Sequence, residues 1–428
     1  FTKFEVARPT APRGPDADTA AGHNDVMIHR TGTAVLALTA LSLSCTSQTI
    51  VVGTGGAYAE IAAAVVAAPS GATILVRAGT YQGFEVVGKS LTILCDANAL
   101  VAGEVLIDGI AANQAVTLSG LTWAAGWVPP TFSMPSQLPT MLEITGCPGR
   151  VLIDRVDPTP AVTSSTYLGV FPFWTPSLVG EDCGQLVVRD SSFFAVSKLT
   201  NCTTAIESCS FEGIYEPNGG SPYNTYGLEI WSGDVRVGGT SSFQGAHGYY
   251  PGNVIEPVLP ASAGLLLVGA NGQFVAGTAN SVQTAYAGDL GGIHLLGGQL
   301  RLAPRAVVNA VTGTPSVITP MPAITSGGSL AAGALTATAD SEPNDLIVVL
   351  VGLAGVPTLV APFADALWLD PSAFVFQAFA APTSGTLTTT LPLPANPALA
   401  GLVIAWQAIA SGPTTGFAAS NPSLVVLQ

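Results

Sequence analysis

One phrase recurs along the chain: a short run of alternating apolar residues, a Cys or small-residue corner, then a second short apolar run. It stands at Leu142-Glu143-Ile144, Cys147 and Val151-Leu152-Ile153. It returns at Leu178-Val179, Cys183 and Leu186-Val187-Val188, and at Leu199, Cys202 and Ala205-Ile206. It returns again at Leu228-Glu229-Ile230 with Val235-Arg236-Val237, and in weaker form at Leu265 to Val268 and Ile293 to Leu296. Cys183 and Cys202 are 19 residues apart, the length of one bare coil, whereas Cys147 and Cys183 are 36 apart, a coil plus an inserted loop. A rung of this kind cannot bury its own apolar face, so the repeat predicts a solenoid of stacked strands. The matching flanks place Cys147, Cys183 and Cys202 inward at equivalent positions of successive rungs, as an unbonded ladder of small apolar side chains, the alternative being a Cys202–Cys209 disulfide across a turn. The cysteine spacing carries no zinc signature.

Composition fits such a coil. Charged residues are 9% of the chain, against about 25% in ordinary globular proteins. The formal net charge is −14, and no Lys or Arg follows Arg305. An acidic surface repels phosphate backbones, which excludes nucleic acid as an expected partner. A polyanionic sugar would need a bridging cation such as Ca²⁺.

Met27-Ile28-His29-Arg30 followed by the apolar run Thr31 to Leu43 reads as a signal peptide over 27–45. That run is shorter than the roughly 20 residues a membrane-spanning helix needs. Residues 1–26 are then expected to be translated upstream sequence, with Met27 as the start. Cys45 is either the lipid-modified first residue of a lipoprotein or a bystander to ordinary cleavage near Ser44. A lipobox wants Leu where Ser42 stands, and Leu41 is one step early. A lipid on Cys45 is the one membrane attachment expected.

The N-terminal phrase is Gly53-Thr54-Gly55-Gly56, a helical stretch Tyr58 to Ala68, then Gly71, Ile74, Val76 and Gly79-Thr80-Tyr81, and a strand at Leu91 to Leu94. This order resembles the N-terminal cap of pectin-lyase-like right-handed parallel β-helix proteins, and the resemblance spans roughly 50–315. It implies an all-β coil whose open end is covered by a cap helix. It implies no single activity, because such caps front lyases, hydrolases, adhesins and spike proteins alike. The compact Asp-Asp and Gly-His-Gly motifs of the polygalacturonase relatives are missing, Ala246 standing before His247-Gly248.

Insertions are expected at 123–140, 157–177, 213–226 and 245–262. The β-helix is assigned to 46–315, a Pro- and Gly-marked linker to 316–328, and a small β-sandwich to 329–428. The C-terminal phrase from Leu391 to Gly401, with Trp406-Gln407 and Ser420 to Leu427, looks like a domain appended to many secreted bacterial proteins.

The densest polar and aromatic stretch is 211–250. Tyr223, Tyr226, Trp231, His247, Tyr249 and Tyr250 are candidate glycan contacts, since sugar rings stack on aromatic faces and their hydroxyls bond to polar groups. Glu229 and Asp234 are candidate catalytic carboxylates, as are Asp190 with Glu207, provided each pair shares a face at the 5–10 Å separation glycosidases use. Asp340, Glu342 and Asp345 form a compact acidic loop that would hold Ca²⁺ through oxygen ligands; no other cofactor is expected. The sequence reads as an exported, extracellular or cell-surface β-helix displaying loops for glycan binding or adhesion. The alternative is a polysaccharide lyase or glycoside hydrolase.

Overall fold

The computed structural model describes residues 48–125, 140–158, 177–194, 197–213, 226–238, 241–245, 265–268, 271–280, 293–296, 300–308, 311–314, 318–360, 366–396, 399–413 and 415–427. All of these belong to one compact unit, Cys45–Gln428. The N-terminal part is a parallel β-helix with three faces.

The first face begins with Thr49–Val52, Ala72–Val76, Leu91–Cys95, Ala115–Ser119, Arg150–Asp154 and Gln185–Arg189, each paired in parallel with the next. It continues through the C-terminal halves of Ser197–Glu207 and Leu228–Gly238, then through Asn271–Asn280, Leu300–Val308 and Ile318–Pro320. The second face stacks the C-terminal half of Ala99–Asp108 on Leu142–Thr145, Leu178–Glu181, the start of Ser197–Glu207, the start of Leu228–Gly238, Leu265–Val268, Ile293–Leu296 and Val311–Thr314. The third face includes Ser192–Phe194, Ser210–Glu212 and Ser242–Gln244.

Corners are made by single residues in the left-handed region. From second to first face they form a column: Gly88, Gly109, Gly146, Asp182, Asn201 and Ser232, with φ between 53° and 65°. Short polar side chains tolerate this conformation and bond locally, and Asn201 Nδ2 donates to Asp182 Oδ1 at 2.6 Å across one rung. Just inside this corner lie Cys147, Cys183 and Cys202, all buried and all free thiols. Thr145, Glu181 and Thr200, two residues before each, are register partners, so the cysteines do occupy equivalent places in successive rungs. The Cys183 thiol is pushed up, first by its hydrogen bond with Cys202 and then by burial. Inside the third face, Phe193, Phe211 and Phe243 stack face to face, with centroids 5.1 and 5.2 Å apart.

The cap helix is shorter than its apolar pattern predicts, running Ile61–Ala67. Tyr58 bridges to Val52 as extended chain, and Glu60 and Ala68 are both extended. Ala68 precedes Pro69, which disfavours helical backbone at that position. Ile61, Ala64 and Val65 are buried in the core of the coil. Lys89 Nζ donates to the carbonyls of Val65 and Ala68 at 2.6 and 3.2 Å, satisfying the helix's open C-terminal end.

The stretch 316–328 does not form a free linker. Ile318–Pro320 is the last strand of the first face, and Ala323–Ser329 already belongs to an antiparallel sheet with Ala334–Asp340 and Thr386–Pro392. A second antiparallel sheet orders Ala366–Ala380, Leu346–Leu359, Val403–Gly412 and Gly416–Ala419, with Ser423–Val426 also paired to Val403–Gly412. The two sheets bury one core that includes Leu335, Ala337, Val349, Trp406 and Val425.

The other side of the second sheet lies on the first face of the coil. Leu152, Val187 and Ala205, one outward ladder, pack against Leu350, Trp368, Leu369, Val403 and Leu424. Around this patch, coil side chains donate to sheet carbonyls: Arg150 to Ala354 at 2.8 Å, Gln185 to Gly355 at 2.6 Å and Arg236 to Ala366 at 3.1 Å. The Arg236 guanidinium also lies 5.7 Å from the Trp368 ring centre. Glu207 is buried at the same junction, accepting bonds from Ser423 Oγ and, at 3.3 Å, from Leu424 N–H.

Candidate functional site

Register partners along the second face form two columns. One runs Glu85, Leu106, Glu143, Val179, Lys198, Glu229, Leu266 and His294. The other runs Val87, Asp108, Thr145, Glu181, Thr200, Trp231, Val268 and Leu296 through the same pairings. The alternation Leu228-Glu229-Ile230-Trp231 explains why Glu229 and Trp231 project together while Leu228 and Ile230 are buried.

Trp231 is the exposed aromatic of this face, 40% accessible. Its indole Nε1 donates to Glu229 Oε2 at 3.0 Å. From the preceding rung, Lys198 Nζ stands 5.0 Å from the centre of its ring. The cation and the hydrogen bond fix the orientation of the indole. Tyr226 is half-buried just before this strand, and burial, then the charge of Glu229, pushes its phenol up. Tyr226, Glu229, Trp231 and Lys198 thus form one polar–aromatic patch. Farther along the face, burial and the neighbouring Glu143 push the Glu104 carboxyl up, and burial pushes the His294 imidazole down.

The patch sits beside an edge of the coil at which the described residues are repeatedly interrupted. After Thr122–Trp123, after Asp157, and after Ser210–Glu212, Ser242–Gln244 and Asn271–Asn280, the described chain stops at the third face. It resumes at the second, at Leu142, Leu178, Leu228, Leu265 and Ile293. Among the described residues these interruptions therefore all flank one edge of the second face. Tyr223, His247, Tyr249 and Tyr250 fall within such insertions and lie outside the described residues, as does Cys45.

Of the two carboxylate pairs, one is split between faces and the other is covered. Glu229 is on the second face and Asp234 opens the first, with the corner Ser232-Gly233 between them, so they do not share a face. Asp190 and Glu207 meet on adjacent rungs, Asp190 N–H donating to the Glu207 carbonyl at 2.9 Å. The C-terminal sheet covers the Glu207 side chain, which takes that pair out of any open groove. Sequence reasoning missed Lys198, whose role depends on cross-rung register.

The acidic loop of the C-terminal region is a hydrogen-bonded turn. Asp345 Oδ2 accepts from Ser341 Oγ at 2.7 Å and Thr415 Oγ1 at 2.5 Å, and Asp340 Oδ1 accepts from Thr386 Oγ1 at 2.8 Å. Asp340 and Asp345 are buried, whereas Glu342 is half-buried. Among the described residues no group of three or more His, Cys, Asp or Glu converges as a metal site. No helix among them is long and apolar enough to cross a membrane.

No protein-family model matches this sequence. No curated protein matches it either. Among solved structures, the enzymatically active domain of tailspike protein 2 of bacteriophage CBA120 aligns with 83% of this chain and 69% of its own, at 11% identity and a TM-score of 0.17, a similarity too slight to bear on fold or function.

Proposed function

We propose that this is an exported, extracellular or cell-surface β-helix whose second face and the insertions along its edge bind a polysaccharide without cleaving it. The observation that carries this reading is the patch of Tyr226, Glu229, Trp231 and Lys198 beside the corner where the insertions are anchored. A rigid coil from one edge of which long segments start and end is suited to display. An exposed indole with a fixed carboxylate and ammonium supplies an apolar platform for a sugar ring, with an acceptor and a donor for its hydroxyls. The described patch holds one carboxylate, whereas glycoside hydrolysis uses two across the scissile bond. This supports binding over turnover.

The test is a glycan array and calorimetric titration with neutral and acidic polysaccharides, run beside a reducing-end and unsaturated-product assay. Trp231→Ala is expected to weaken binding by about 1–3 kcal/mol, the scale of an aromatic anchor, with an unchanged melting temperature. Binding indifferent to Trp231 would move the site elsewhere. Product formation abolished by Glu229→Gln would replace the binding reading with a lyase or hydrolase.

A further inference from the structure

The face of the second antiparallel sheet that lies on the coil is wider than the coil. Leu350 and Val348 belong to the cluster packed against Leu152, Val187 and Ala205. In register, Leu350 stands opposite Phe376 and Val348 opposite Phe379. Directly opposed residues of an antiparallel pair project to the same side. Phe376 and Phe379 therefore extend the docked face, yet they are 69% and 71% exposed, and Leu346 on the neighbouring strand is 44% exposed. Phe374, partly buried against the coil, makes an edge-to-face contact with Phe376 at 6.0 Å. The apolar interface thus runs on without interruption into solvent.

The strand carrying these rings is also a sheet edge. Among the described residues Ala366–Ala380 pairs only with Leu346–Leu359. Edge strands are ordinarily blunted by Lys, inward charges, bulges or Pro. Here Asp370 and Pro371 stand in the first half and a bulge at Gln377 interrupts the ladder to Leu346–Leu359, but Ser372 to Ala380 contains no charge and no proline. An unpaired backbone edge recognises another strand, and two large exposed rings recognise an apolar surface.

We propose that this edge is the contact between two copies of the chain. In that contact residues 373–380 pair antiparallel with the same residues of a second copy across a two-fold axis, and Phe376 and Phe379 of each cover the other. A two-fold axis makes one patch its own complement, and antiparallel pairing of identical strands satisfies it. Local charge does not bar this occupant. The chain carries −14 overall, but two copies meeting here bring no like charges together along the strand. An anionic membrane lacks its usual attraction, because no Lys or Arg follows Arg305.

Sedimentation equilibrium and light scattering of the full chain, from about 1 to about 100 µM, test this. The expected result is a reversible dimer that the double variant Phe376→Lys/Phe379→Lys weakens at least hundredfold, with an unchanged circular dichroism spectrum. Phe376→Ser/Phe379→Ser checks the same surface without added charge, should the first variant misfold. In the unmodified chain, amide exchange over 373–380 is expected to slow as concentration rises. A chain that stays monomeric to the highest concentration overturns the proposal. So does a dimer that survives both variants, or a monomer that instead floats with lipid vesicles.

Discussion

Replacing Phe211 with alanine is expected to cost about 3–5 kcal/mol of stability, the range for a fully buried aromatic truncated to a methyl group. Phe211 is the middle ring of the Phe193–Phe211–Phe243 column and is fully buried. A terminal ring could be lost with its one neighbour relaxing inward. The middle ring cannot, because the strands that carry its neighbours are held in parallel register on both sides, Ser192–Phe194 below and Ser242–Gln244 above. The cavity would stay open and both flanking rings would lose a stacking face. Urea unfolding, with an unchanged denaturant slope, measures the loss. A cost under about 1 kcal/mol would show that the rungs collapse freely, against close packing of the core. Phe211→Leu keeps most of the volume and should cost much less.

The solenoid was legible because its signals are local and repeated. Alternation in Leu142 to Thr145 and Leu228 to Trp231, and a small residue at each corner, recur at nearly fixed spacing, so each rung supports the reading of the next. Tyr226, Glu229 and Trp231 were legible for the same reason, lying within one strand or just before it. Lys198 was not, since its place over Trp231 depends on which rung stacks on which. Treating Glu229 and Asp234 as a pair failed at one corner: Ser232 and Gly233, at φ 59° and 91°, turn the chain onto another face. The docking of the C-terminal sheets also marks the sequence. Val151-Leu152-Ile153 and Leu186-Val187-Val188 are continuously apolar rather than alternating, which is how a strand covered on both sides reads. Nothing local could say what covers them, because Glu207 and Ser423 are 216 residues apart.

That junction makes the stability of the molecule depend on one proton. Glu207 is buried between the first face and the sheet strand Ser423–Val426, and burial pushes its carboxyl up to about 7. Several groups surround it. Arg189 approaches at 3.9 Å but lies closer to Asp190, at 3.2 Å, so its charge is shared; Asp190 itself raises Glu207. Cys209 follows two residues later on the coil, and the sheet presents only the Ser423 hydroxyl and the Leu424 amide. An unfolded glutamate titrates near 4.3. The folded value is raised, so the folded state holds the extra proton between about 4.3 and 7. The stabilisation from that proton is complete below the unfolded value and is lost as pH rises through about 7. The loss is on the order of 3 kcal/mol by pH 8. Gln at this position keeps a neutral side chain of the same shape. The free energy of unfolding of the natural chain minus that of Glu207→Gln should therefore fall by roughly that amount from pH 4 to pH 8, most steeply between the unfolded and folded values. A difference that stays flat, or rises with pH, would mean that Arg189 and the two donors outweigh burial and hold Glu207 ionised. The same titration followed by amide exchange in Ser423–Val426 places the effect at the junction, where protection should fall with rising pH in the natural chain and remain constant in Glu207→Gln.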